Sequence, residues 1–247
     1  MSAMNSEKQR FNIAVDTSGR AGSAAIGVGD AVLEEKPFTD MMRHAAEILP
    51  VIGSLLEKHG GTPADIEDVY VTSGPGSFTG LRIGIAMAKM MALAANVRIA
   101  SVSSLAVTAQ NAFDYIKAEG LDVQRVAAII DAKRGQFFVA IYQRQADGGW
   151  VKTLDDTMMR APELLEKYAA GDKMWVLGEG LKYYREKFEA GGLGILPESI
   201  WCGSASNVYR LCREKANAGG FDNPDELLPS YLRLAEAEEN WLKKQQS

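Results

Sequence analysis

Val69-Tyr70-Val71-Thr72-Ser73-Gly74-Pro75-Gly76-Ser77-Phe78-Thr79-Gly80-Leu81-Arg82-Ile83-Gly84 passes from an apolar run, through a glycine-rich turn, straight into a helical pattern. Gly74, Gly76 and Gly80 carry no Cβ, so the backbone there can take positive φ and come close to another group. Pro75 and the hydroxyls of Ser77 and Thr79 suit a turn that ends in a helix N-cap. The unpaired N–H groups of such a helix start form a natural anion site. A Walker A loop requires Gly-Lys-Ser/Thr after its second glycine, whereas Leu81-Arg82 follow Gly80. A nucleophile elbow requires glycine two positions either side of its serine, and Ser77 has Pro75 and Thr79 there. Two readings stand: a structural turn, or a loop that approaches a phosphate.

Outward from this turn, apolar alternation predicts strands over 11–18, 24–28 and 31–35, with Gly29-Asp30 as a tight turn. A helix is expected over 40–58, capped by Thr39 or Asp40, broken or kinked at Pro50 and stopped by Gly60-Gly61. A strand over 69–72, a helix over 80–95 and a strand over 98–102 follow. After a helix capped by Ser103-Ser104 and running to 117, the order recurs: strands over 125–131, 136–143 and 150–158, a helix over 162–169, a strand over 173–178, and helices over 181–188 and 204–216. Meander, helix, strand, helix, twice over, predicts an α/β chain of two related lobes rather than one parallel sheet. The expected division is a disordered polar tail over 1–10, a first lobe over 11–104, a second over 105–223, and a segment over 224–247 that packs back on the first lobe and then frays.

With 47% apolar and 24% charged residues in 247, the chain has ample material for a core. A formal charge of −5 argues against tight nucleic-acid binding by the chain alone. No apolar run is long enough to span a bilayer, and the polar start lacks the apolar centre of a signal peptide, so a cytoplasmic protein is expected. Cys202 and Cys212 have no Cys or His nearby to complete a metal set and read as ordinary thiols. His44 and His59 lack a ligating partner three or four residues away, so no metal site and no catalytic group is assigned.

The helix over 80–95 is apolar around most of its girth, with Arg82, Lys89 and Asn96 as its one polar stripe. Small residues at 84, 88 and 92 would let another helix come close, and Met41 and Met42 on the preceding helix adapt well to partner surfaces. A protein–protein contact is expected through Met41, His44, Ala45, Ile48, Ile83, Gly84, Met87, Ala88, Met91 and Ala92. Asp16 and Asp131 occupy equivalent strand ends in the two halves. Asp16, Thr17 and Ser18 could meet a nucleotide or cation together with Gly74, Gly76, Ser77 and Gly80, or Asp16 could simply cap a turn.

Ile13-Ala14-Val15-Asp16-Thr17-Ser18, His44 ahead of Leu49-Pro50, the string from Gly74 to Gly84, and Ser101-Val102-Ser103-Ser104-Leu105 resemble the bacterial TsaB family of tRNA threonylcarbamoyladenosine biosynthesis proteins. The likeness continues through Asp131-Ala132-Lys133 and ends in Pro229-Ser230-Tyr231-Leu232-Arg233. It implies the actin/Hsp70/sugar-kinase, ribonuclease H-like fold: mixed sheets flanked by helices in two lobes. It also implies a non-catalytic scaffold beside a catalytic relative, TsaD, and an ATPase, TsaE. That complex transfers a threonylcarbamoyl group to N6 of the tRNA adenosine next to the anticodon. The first-lobe helices would contact TsaD, tRNA would be met only through the complex, and a homodimer is allowed when the partner is absent. No cofactor of its own is implied, with ATP or ADP and magnesium placed at or near the partner interface. Where the family has Lys-Gly-Leu-Ala, this chain has Lys89-Met90-Met91-Ala92, which enlarges the expected contact. The rival readings are an ATP-dependent phosphotransferase using Asp16 and the loop over 74–80, and a metallopeptidase. The His-x-x-x-His pair with which TsaD holds its metal has no match here.

Overall fold

The structure, a computed structural model, describes residues 9–39 and 44–233, the side chain of His44 apart. The first sheet starts as an antiparallel meander of β1 (Phe11–Asp16), β2 (Ser23–Val28) and β3 (Ala31–Pro37). After α1 (His44–Lys58), β4 (Ile66–Gly74) joins parallel to β1; after α2 (Phe78–Ala95), β5 (Arg98–Ser103) joins parallel to β4. The resulting order is β3-β2-β1-β4-β5.

Following α3 (Ser104–Ala118), the plan repeats with β6 (Arg125–Asp131), β7 (Phe137–Arg144) and β8 (Trp150–Met159) as the meander. Then come α4 (Ala161–Tyr168), β9 (Met174–Leu177), α5 (Leu181–Ala190), the two-residue β10 (Gly194–Ile195) and α6 (Ala205–Asn217). The second sheet runs β10-β9-β6-β7-β8, with β9 parallel to β6 and β10 parallel to β9. Two mixed sheets with one strand plan bear out the duplicated α/β fold.

Strand alternation divides the first lobe's core. Ile13, Val15, Val69 and Val71 face α1 and α2, where Ile48, Ile52, Leu55 and Ile85 complete one cluster. Ala14, Ala25, Tyr70 and Ala100 face the other way, onto Val208, Tyr209 and Cys212 of α6. A strand covered on both faces reads as a near-continuous apolar run, as β1 does. Each fully buried Ile, Leu or Phe contributes about 1.5–3 kcal/mol.

Packing does not follow the expected division of the chain. Residues 205–217, assigned to the second lobe from order alone, cover the first sheet. Leu105, Ala109, Ala112 and Ile116 of α3 enter the second lobe's core. β4 also starts earlier than the apolar run suggests. Thr62 and Asp65 close a reciprocal cap just before it, with Thr62 N donating to Asp65 Oδ2 at 2.9 Å. The charge of Asp68 inside the strand is met by Arg98 at 2.7 Å. In the described part of the C-terminal segment, Leu227 is in the first lobe's core and Ser230 N donates to Ser73 O at 2.7 Å. The expected start of α1 over 40–43, and Glu236, Glu238 and Glu239, lie outside the described residues.

Candidate functional site

The glycine turn is held by the chain's own backbone. Ser77 caps α2, its Oγ accepting the Gly80 N–H at 3.2 Å. Ser77 N donates to Ser18 O at 2.7 Å, and Thr17 Oγ1 donates to Gly80 O at 2.8 Å. A Cβ on residue 80 would lie 2.0 Å from Thr17 O, and one on residue 76 would lie 2.4 Å from Ser18 O. The close approach that these glycines permit is made with the loop after β1. These contacts hold the turn against the β1 end of the sheet.

Asp16 ends β1 at 1% exposure. Its Oδ1 accepts from Ser18 N at 2.9 Å, Ser18 Oγ at 2.7 Å and Thr72 Oγ1 at 3.1 Å. Oδ2 has no hydrogen-bond partner among the described residues, and a Cβ on residue 203 would lie 2.0 Å from it. Burial pushes the Asp16 carboxyl up, the Ser18 and Thr72 hydrogen bonds pull it down, and nearby Glu35 adds to the rise. Beside it, Glu179 accepts the Arg20 N–H at 3.0 and 3.2 Å, while the Arg20 guanidinium faces the Tyr183 ring at 5.5 Å. Cys202 Sγ lies 3.6 Å from Glu179 Oε1, and burial, followed by that carboxylate, pushes its thiol up to about 11. A protonated thiol is a poor nucleophile. Gly203 thus comes close to Asp16, with Cys202 and Glu179 beside it. No group of three or more His, Cys, Asp and Glu among the described residues could hold a metal ion.

The expected contact residues divide. Ile48, Gly84, Met87 and Ala88 are buried inside the first lobe, so the small residues at 84 and 88 serve close packing on β4 and Thr17 rather than a foreign helix. This corrects their assignment to an outer face. Ile83, Met91 and Ala92 are half-buried along the edge of that core, and Ala45 is exposed. Met41 and the His44 side chain lie outside the described residues. The outward apolar face consists instead of Leu49 on α1, 57% exposed, with Met90 and Leu93 on α2, 67% and 91% exposed. By length and composition α2 could cross a membrane, but Ile85, Met87 and Ala88 seat it on the sheet.

A family model described as TsaD, tRNA N6-adenosine threonylcarbamoyltransferase, matches residues 36–241. A Bacillus subtilis protein named tRNA threonylcarbamoyladenosine biosynthesis protein TsaB is 30% identical over 241 residues, covering 94% of this chain and 98% of the relative. The chain belongs to the TsaB family. Its Escherichia coli namesake is 29% identical over 225 residues, covering 90% of this chain and 94% of its own length. A solved structure described as YeaZ from Pseudomonas aeruginosa superposes with a TM-score of 0.75 at 25% identity, covering 90% of this chain and 99% of its own. Another, described as similar to peptidase YEAZ and from the same organism, gives 0.77 at 26% identity over 91% of this chain and 100% of its own.

The TsaB resemblance and the two-lobed fold are thereby established, and the chain's role lies in tRNA threonylcarbamoyladenosine biosynthesis. For a TsaB-family chain the informative positions are Leu49, Met90 and Leu93, of which only Met90 carried a signal, as the departure from the family's glycine. The group of Glu179, Cys202 and Gly203 had no local signature, because it is assembled from distant turns.

Proposed function

We propose that this TsaB-family chain serves threonylcarbamoyl transfer to tRNA as a non-catalytic scaffold in the cytoplasm, docking a TsaD-type catalytic subunit that works with a TsaE-type ATPase. The observation that carries the reading is the exposure of Leu49, Met90 and Leu93 on one helical layer. Large apolar side chains grouped on a surface mark a contact, and a docked partner gains orientation without this chain touching the reacting atoms. The chain brings no cofactor of its own and meets tRNA through the complex. In the absence of the partner the same face pairs two copies.

Leu93→Glu and Met90→Glu place a carboxylate at the centre of that contact. Both variants should keep the wild-type melting temperature, fail to co-elute with the TsaD-type subunit in size-exclusion chromatography, and fail to restore the modified nucleoside in cells lacking their own TsaB. Co-elution of Leu93→Glu at the wild-type level, or threonylcarbamoyladenosine made by the purified chain alone, overturns the reading.

A further inference from the structure

Arg82, Ala86, Lys89 and Leu93 follow the four-three-four spacing that keeps side chains on one line of a helix. Arg82, Ala86 and Leu93 are exposed on that line, and Lys89 is half-buried. The polar stripe of α2 and its most exposed apolar side chain therefore share one face. Arg82 and Lys89 are the helix's charged residues, so α2 carries two cations and no acid on a chain of net charge −5.

Arg82 is held in place by neutral groups. Its guanidinium lies 3.8 Å from the centre of the Phe78 ring, one turn back on α2, and 5.7 Å from that of Tyr231. Its Nε donates to the Tyr231 hydroxyl at 2.7 Å, and the two rings pack on each other at 5.0 Å. Rings and a hydroxyl orient a charge without cancelling it. Neither Arg82 nor Lys89 forms an ion pair among the described residues.

Tyr231 is itself fixed from both sides. Before it, Leu227 lies in the first lobe's core and Ser230 N donates to Ser73 O at 2.7 Å. After it, Leu232 packs against the second lobe's core and Arg233 Nη1 donates to Ala132 O. A ring pinned in this way orders the long arginine side chain before any partner arrives, which lowers the entropy lost on binding.

We propose that Arg82 and Lys89 make α2 a cationic docking face that meets an acidic surface of the TsaD-type subunit, with Tyr231 as the residue that positions Arg82. The inference rests on the docking reading stated above and adds the charge of the partner. An interface of ordinary size covers about 800 Å² on each side, a radius of about 16 Å. The helix from Arg82 to Leu93 spans about the same 16 Å, so a contact centred on Leu93 reaches Arg82 at its rim. Rim charges act chiefly on the association rate and its salt dependence. A second copy of this chain brings the same two cations on its own α2, so an acidic partner is the better match.

The test measures association of the full chain with the purified TsaD-type subunit by stopped flow, at low and high salt and without tRNA. Arg82→Glu with Lys89→Glu should keep the wild-type melting temperature and slow association about tenfold at low salt, with the gap closing at high salt. Arg82→Gln with Lys89→Gln removes the charges without reversing them and should fall between. Lys117→Glu with Lys182→Glu changes the net charge equally on α3 and α5 and should leave the rate unchanged. Tyr231→Ala should slow association about threefold at low salt, and Tyr231→Phe, which keeps the ring, should recover part of that loss. An unchanged rate in the double reversal, a slowing that persists at high salt, or an equal slowing in the control pair overturns the proposal. So does a reversal that alters only self-association of the chain, or one whose effect emerges only when tRNA is added. Tyr231→Ala at the wild-type rate overturns the positioning role. Leu93→Glu that binds the TsaD-type subunit at the wild-type level sinks the docking reading itself, whatever the two cations do.

Discussion

Glu35 on β3 holds the first turn of α6 from 170 residues away, its Oε1 accepting the Ala205 N–H at 2.9 Å. The same oxygen takes the Ser23 hydroxyl at 2.6 Å, and Oε2 takes the Ser204 hydroxyl at 2.8 Å and the Ser206 N–H at 3.2 Å. Ser204 does not cap the helix with its own side chain, so the distant carboxylate satisfies the exposed N–H groups and places negative charge at the positive end of the dipole. Burial pushes the Glu35 carboxyl up, but the hydrogen bonds from Ser206, Ser23 and Ser204 outweigh it and hold the group below its ordinary value.

A carboxylate whose folded pKa is depressed stabilises the fold at neutral pH and loses that contribution as the pH falls through the acid range. Glu35→Gln should therefore cost about 1–2 kcal/mol at pH 7, the size of a lost charged cap. The gap to wild type should shrink toward pH 3.5, near and below the ordinary glutamate pKa of about 4.3. Urea unfolding at both pH values measures it, and a gap that stays constant would falsify the capping role.

Ala88 and Leu93 separate packing from docking on one helix. Ala88 is 0% exposed against the sheet, while Leu93 is 91% exposed. Ala88→Glu buries an unpaired charge in a closed core, so it should cost more than about 3 kcal/mol and yield little folded protein. Leu93→Glu should leave stability within about 0.5 kcal/mol of wild type, as surface changes do. Equal thermal denaturation of the two variants would show that α2 is seated the other way round.

That contrast also marks what the chain's residue pattern could and could not convey. Gly29-Asp30, Gly60-Gly61 and the serine caps at 77 and 103 act locally, so the strand and helix order was legible and its repetition exposed the duplicated lobe. The facing of α2 was not legible, since a helix apolar around its girth carries no period to orient it. Small residues at 84 and 88 suit a sheet as well as a partner helix, and only their burial, Gly84 against Thr17 and Ala88 in the apolar core, decides. The apolar stripe of Val208, Tyr209 and Cys212 would cover either sheet equally well, so the crossing of α6 to the first lobe is a tertiary choice.

Gly80 and Gly53 should respond in opposite directions to the same substitution. Both lie in helices, where alanine is intrinsically favoured over glycine by about 0.8–1 kcal/mol. Nothing lies within 4 Å of a Cβ on Gly53, so Gly53→Ala should stabilise by about 0.5–1 kcal/mol. At Gly80 that carbon would lie 2.0 Å from Thr17 O, and the backbone must move away to admit it. Gly80→Ala should destabilise by several kcal/mol despite its helix propensity, breaking the contact between the turn and the loop after β1. Denaturant midpoints compare them directly. Two stabilised variants would mean that the turn is free of Thr17.

Asp16→Asn tests whether the strand-end position of a buried acid implies use of its charge. Three donors converge on Oδ1, and an amide oxygen can accept them. The folded carboxyl is raised chiefly by burial, so its ionised form weakens the fold above that pKa, and stability returns as the pH falls through it. Asparagine removes this ionisation while keeping the shape. The variant should therefore equal or exceed wild-type stability at pH 8, with the difference closing on acidification. Asp16→Ala instead leaves the Ser18 and Thr72 donors unpaired and should lose about 1–3 kcal/mol. Cells lacking their own TsaB supply the functional readout: Asp16→Asn should restore threonylcarbamoyladenosine as wild type does. A stable Asp16→Asn protein that restores none would mean that the carboxylate takes part in the chemistry, and the scaffold reading would fall.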